Sequence, residues 1–200
     1  MKKIIFLFLF FPFLLLAQEE PQDSLALIRQ LHLKGVEGDK KAVEEAYSLL
    51  LPLVEKEPGN PLYQVYQGSC LTLKARDALW PPKKLEYARQ GFKTMDAAVA
   101  ASPNNEEVRF IRAMCALNVP KFFNRLDQAL EDFDTLIASL EPAQSPSTES
   151  AMIYYYAACG YVKNADKEKA LPLLEKSIQT DSGTKWKSAS EQMLKKVSLL

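Results

Sequence analysis

Gly91-Phe92-Lys93-Thr94-Met95-Asp96-Ala97-Ala98-Val99-Ala100-Ala101-Ser102-Pro103 carries the pattern from which the rest of the chain is read. A small residue is followed four places on by a bulky one, three places later by Ala98, and then by Pro103. The phase recurs in Ala46-x3-Leu50-x2-Leu53-x4-Pro58 and in Ala129-x3-Phe133-x2-Leu136, where Pro142 comes one residue late. A fourth segment, Ala170-x3-Leu174-x2-Ser177, runs into Asp181-Ser182-Gly183 without the proline. Steps of three and four place these residues on one stripe of a helix. The small residue lets a second helix approach, and the bulky residue one turn on fills the groove between them. Proline then ends the helix, because it lacks the N–H that the next turn needs.

Outward from these segments, helical periodicity alternates with Pro, Gly and Asn breaks, and nothing after residue 17 reads as a strand. Helices are expected near 22–35, 39–56, 61–79, 83–101, 105–118, 124–140, 148–163, 166–180 and 184–198. Asp39 suits an N-cap, its carboxylate accepting an orphan backbone N–H. Glu57-Pro58-Gly59-Asn60-Pro61 stops one helix and starts the next, with Pro61 in a first turn where no N–H is needed. Ser102-Pro103-Asn104-Asn105 does the same, with Asn104 or Asn105 as cap and Glu106 and Glu107 favoured at the positive helix end. Pro142 to Ser147 is a further polar break. Pro52 and Pro172 fall inside helices and are expected to kink or break them.

The segments resemble the second helix of a tetratricopeptide repeat, a unit of about 34 residues running W-x2-L-G-x2-Y, then A-x3-F, then P. The first helices agree. Gly68, ten residues after Pro58, and Ala113, ten after Pro103, fall on the family's small position. Ala158 stands the expected twelve residues before Ala170, Tyr161 takes the tyrosine position, and Tyr154 stands where the family often has Trp. In the first unit Lys34 takes the small position and Gly35 is one residue off. Gly68 to Gly91 spans 23 residues and Ala113 to Ala129 spans 16, so eleven and four residues are extra. They fall at Leu79–Lys84 and Val119–Arg125, both between the two helices of a pair and therefore on one edge. The resemblance covers about residues 25–182. It implies an all-α, right-handed superhelix of about four helix pairs, with 184–198 as a capping helix. It also implies that the first helix of each pair lines a concave side where a protein or peptide segment docks.

The chain opens with Met1-Lys2-Lys3 and an apolar run from Ile4 to Leu16, then Ala17 before Gln18-Glu19-Glu20. A positive start and a short apolar run are the pattern of a secretory signal peptide. Spanning a bilayer takes about 20 apolar residues, more than this run offers. Residues 1–17 are therefore expected to be a signal peptide, and 18–200 a single repeat domain of a bacterial periplasmic or secreted protein. The alternative is a structural subunit of an envelope complex, tethered to the inner membrane by an uncleaved 1–17. A membrane is a partner only in that case.

The chain has 25 basic and 25 acidic residues; without Lys2 and Lys3 the balance is 23 against 25. That excludes the basic excess a nucleic-acid binder needs to neutralise phosphates. Cys70, Cys115 and Cys159 are odd in number and lie among apolar residues, so they read as buried small hydrophobes. Their spacings match no metal-ligand pattern. His32, the one histidine, has no Cys or Asp at triad-like or metal spacing, and the seven glycines form no phosphate loop. Glu44-Glu45 and Asp132-x-Asp134 point to different sides of a helix and read as solvated-face residues. A site assembled from Arg76, Asp77, Arg109 and Arg112 would supply binding but neither nucleophile nor base. The chain is therefore read as a non-catalytic scaffold or adaptor without cofactor or metal.

Aromatic and basic residues gather at the two insertions and on nearby helices. Trp80, Lys83, Lys84, Lys121, Phe122, Phe123 and Arg125, with Arg109 and Arg112, are the candidate partner-binding residues, since aromatics and Arg dominate interfaces. The competing reading is that the insertions pack on each other with their aromatics buried. In Tyr154-Tyr155-Tyr156 at most two rings share a helix face, and Tyr154 with one neighbour is expected in the core.

Overall fold

The computed structural model describes residues 21–140, 147–181 and 185–199. The expected signal segment 1–17, most of the 142–147 break and Ser182-Gly183 lie outside them. Among the described residues the helices are α1 (Pro21–Val36), α2 (Lys40–Lys56), α3 (Pro61–Asp77), α4 (Pro81–Ala101), α5 (Glu106–Asn118), α6 (Leu126–Leu140), α7 (Thr148–Lys163), α8 (Lys167–Thr180) and α9 (Lys185–Ser198). A 3-10 turn, Lys121–Phe123, precedes α6, and there is no strand among them.

The caps form as the sequence dictates. Asp39 accepts from the Lys41 and Ala42 amides, Asn60 from those of Leu62 and Tyr63, and Asn105, rather than Asn104, from that of Val108. α2 and α8 run on through Pro52 and Pro172. Both rings are exposed, so neither meets a packed neighbour, and each helix forgoes one backbone hydrogen bond.

Consecutive helices pair as α1/α2, α3/α4, α5/α6 and α7/α8, and α9 closes the stack against α7 and α8. The notch residues Ala46, Ala113, Ala129, Ala158 and Ala170 are fully buried, with Gly68 and Gly91 buried beside them. Their bulky partners Leu50, Met95, Phe133 and Leu174 are buried as well. Removing such a side chain from water contributes about 1.5–3 kcal/mol. This is an all-α, tetratricopeptide-like superhelix with a capping helix.

In the first unit the residue at the notch is Gly35, not Lys34. Lys34 is exposed, whereas Gly35 lies against Val43, and a Cβ there would meet the Val43 Cγ2 at 2.6 Å. The eleven extra residues of the second unit are mostly helix rather than loop: α4 has 21 residues, and only Ala78–Trp80 connect it to α3. The four extra residues of the third unit fold as the 3-10 turn, closed by Asn124 in the left-handed region at φ 53°.

Candidate partner-binding face

The odd-numbered helices contact one another directly through a row of side chains on the face they share. Arg29 of α1 donates Nε and Nη2 to the two carboxylate oxygens of Glu107 in α5, at 2.7 and 2.6 Å. Tyr66 of α3 lies between them and donates its hydroxyl to Glu107 Oε1 at 2.6 Å. Arg29 and Glu107 occupy equivalent positions, six residues before the notch in the first and third units. His32 stands edge-on to Tyr66, with Nε2 2.7 Å from Ser69 Oγ. Ser69 Oγ lies 3.3 Å from Cys115 Sγ.

Electrostatics follow from this clasp. Burial drives His32 down to about 4. Burial alone would raise Glu107, but its bonds from Arg29 and Tyr66 outweigh it and hold the carboxyl below its ordinary value. Burial also pushes the Cys70 thiol up to about 12 and raises those of Cys115 and Cys159, so the three stay protonated and weakly nucleophilic.

Further along, the polar clasp gives way to rings. Phe110 of α5 meets Tyr156 of α7 edge to face at 6.4 Å between centroids. Tyr155 and Tyr156 both lie against Trp186 of α9, at 5.5 and 5.2 Å. Phe110, Tyr155 and Tyr156 are half-buried, as are Met114 and Cys159, one turn on from Phe110 and Tyr155. Tyr154 turns into the core and Tyr156 packs against it from the ladder, as expected, while Tyr155 belongs to the ladder alone. None of Arg29, Tyr66, Glu107, Phe110 or Trp186 was a sequence candidate for partner binding. The available signal was position: Phe110 and Tyr155 each stand three residues before a notch alanine.

The candidates chosen from the sequence separate into two groups. Arg112 is buried, donating Nε and Nη2 to Asp132 at 2.8 Å each, and Arg109 Nη1 reaches the same carboxylate at 2.6 Å. Asp132 is 0% exposed, so it is no solvated-face residue, and the two arginines are turned inward to neutralise it. Arg125 is held by Asp96 and Gln128 and lies over the Phe92 ring, 4.6 Å from its centroid. Phe123 also packs on Phe92. These four pack at the α4/α5/α6 junction, Arg112 buried and the other three half-buried. Lys83 pairs with Glu86, and Lys84 donates to the Arg76 carbonyl. Trp80, Phe122 and Lys121 are exposed. Arg76 and Asp77 bind each other at the end of α3, away from the Asp132 cluster, so the four residues considered for a catalytic site do not converge.

No family profile matches the sequence, and no curated protein matches it. Solved structures do. The crystal structure of TTC0263, a thermophilic TPR protein of Thermus thermophilus, aligns over 90% of this chain and 99% of its own, at 15% identity and a TM-score of 0.60. "MamA RS-1 ArsTM double mutant" aligns over 88% and 84%, at 18% identity and 0.58. "MamA 41-end from Desulfovibrio magneticus RS-1" aligns over 89% and 95%, at 17% identity and 0.53. With the buried notch in four units and the helix pairing, these likenesses identify the chain's architecture as that of the tetratricopeptide repeat.

Proposed function

We propose that the protein is an exported, non-catalytic scaffold that holds a protein or peptide segment on the α5–α7–α9 half of its first-helix face. One observation carries this reading: the face is unequal along its length. Its first half is closed by bonds from Arg29 of α1 and Tyr66 of α3 to Glu107 of α5, and by the bond between His32 of α1 and Ser69 of α3. Its second half presents Phe110, Tyr155 and Tyr156 half-exposed in a stripe with Met114. Aromatic rings give a partner large contact area at small entropic cost, and the flexible thioether adapts to its shape. Export, to the bacterial periplasm or beyond, is supported by the apolar run Ile4–Leu16 behind Lys2-Lys3.

Capture from an extract of the producing cell's envelope, with the wild-type chain and the variants F110A and Y155A, tests the binding reading. A protein retained by the wild type and lost tenfold or more by both variants supports it, provided their circular dichroism is unchanged. Equal retention by all three removes the face from consideration. N-terminal sequencing of the protein from its host tests export: a start at Gln18 supports it, and an intact Met1 overturns cleavage.

A further inference from the structure

The lengthening of α3 and α4 gives the stack a projecting tip. Measured from the Gly68–Gly91 notch, α3 runs nine residues to Asp77 and α4 ten back to Pro81. From Ala113 and Ala158, α5 and α7 run only five residues further. The helical part of the tip therefore runs about 6 Å further past its notch than α5 and α7 run past theirs, at a rise of ~1.5 Å per residue. Its outermost side chains are Leu79 and Trp80, 94% and 68% exposed.

We infer that this tip dips into the headgroup layer of an anionic lipid bilayer. Three observations point to lipid. Leu and Trp together form an apolar point with one polar handle, the composition that settles at a membrane interface. Pro81 and Pro82 follow at once, at the first two positions of α4. They carry no N–H, so two donors that a helix start would otherwise expose do not exist there, and taking the tip out of water costs less. Lys83 and Lys84 come next, where the positive end of the helix disfavours cations and no acidic residue stands in the first turn. Anionic headgroups complement that placement. Along the tip's own segment, residues 74–86, Lys74, Arg76, Lys83 and Lys84 outnumber Asp77 and Glu86, leaving a positive surplus. The Lys83–Glu86 pair is exposed, so Lys83 can exchange its partner for a phosphate at little cost. Among the described residues no helix is long and apolar enough to cross a membrane. The tip lies on the edge of the stack, away from the aromatic face, and the inference stands without that reading.

Tryptophan emission of the full chain on vesicles tests it. The chain is mixed with vesicles of phosphatidylglycerol and phosphatidylcholine, and with vesicles of phosphatidylcholine alone. The W80F variant is recorded alongside, so that subtraction leaves the Trp80 signal and removes that of Trp186. A blue shift of the Trp80 signal on anionic vesicles, with quenching by lipids brominated near the headgroup and little by lipids brominated near the chain end, is the expected result. K83E/K84E should reduce that quenching at least threefold. The readout is the surroundings of one ring, so attachment of the chain through residues 1–17 does not imitate it. A Trp80 signal that stays water-like on vesicles carrying bound protein overturns the inference. So does a blue shift that follows protein concentration without lipid, which would assign the tip to a second copy of the chain.

Discussion

Gly68 and Gly91 hold α3 and α4 together backbone to backbone: a Cβ on either residue would stand 2.6 Å from the carbonyl oxygen of the other. No rotamer change relieves such a clash, so a methyl group there must push the helices apart and loosen Met95 and Leu71 behind them. G68A and G91A are each expected to destabilise by about 3 kcal/mol, at the upper end of overpacking costs. The double variant should cost less than their sum, since the first methyl already opens the gap. Gly160 supplies the contrast, because its nearest neighbour is the flexible end of Leu130 at 2.9 Å. G160A should change stability by less than about 1 kcal/mol, the helix propensity of Ala offsetting the shift of Leu130. Urea unfolding of the four proteins checks the order; G68A as stable as wild type would show that the notch is not tight.

Asp132 is the one anion at the α5/α6 junction that Arg109 and Arg112 share. D132A leaves two poorly solvated guanidinium groups without it, and is expected to cost about 4 kcal/mol. Asp96, which also reaches Arg112, is partly exposed and compensates only in part. The paired change D132L/R112M removes a charge of each sign and should recover more than half of the loss. A denaturation midpoint for D132A within error of wild type would show that the cluster carries no stability.

The notch and the Asp132 cluster mark the limits of what the sequence discloses. Spacing alone located Ala46, Gly91, Ala129 and Ala170, because a fixed period reads directly as one buried stripe. Asp132 lies on that same stripe, three residues after Ala129 and beside Phe133, so its burial was legible from position; its polarity argued the other way. Polarity prevails as a guide only when a buried charge has no partner, and Arg109 and Arg112, twenty-odd residues earlier, are partners that helix periodicity does not reveal. Gly35 was misplaced by one residue because the short α1–α2 turn shifts the register that Ala46 implies. The Arg29–Glu107 clasp joins helices 78 residues apart, and only the superhelical curvature brings those positions within reach.

Acid should weaken the clasp in two steps. The folded chain holds His32 at about 4 against an ordinary 6.5. Between those values the unfolded chain takes up a proton that the folded chain refuses. Stability is therefore complete above pH 6.5 and declines as the pH falls toward 4, by a total of about 3 kcal/mol. Glu107 is held below its ordinary value, so its contribution is lost in turn at still lower pH. H32Q keeps a partner for Ser69 and does not titrate; it should flatten the first step and leave the second. Unfolding midpoints measured from pH 7.5 to 3.5 for both proteins check this, and an unchanged slope in H32Q would assign the first step elsewhere.

The aromatic residues around the insertions divide by what they touch, and stability should follow that division. Phe92 is 1% exposed and carries both Phe123 and the Arg125 guanidinium on its ring. F92A leaves a cavity at the α4/α6 junction and is expected to cost about 4 kcal/mol. Phe123 is half-buried against that ring, so F123A should cost about 1–2 kcal/mol, for lost area and one ring contact. Phe122 is 76% exposed and meets the Phe123 ring at 4.5 Å, while among the described residues no ring contact is made by the 68% exposed Trp80. F122A and W80A should each shift stability by less than about 0.5 kcal/mol, as surface changes do. Helicity should survive in all four. Melting temperatures in the order F92A well below F123A, with F122A and W80A at the wild-type value, confirm that only the last two face solvent. A large loss in W80A would mean that the tip packs onto the fold, leaving no ring to meet a bilayer.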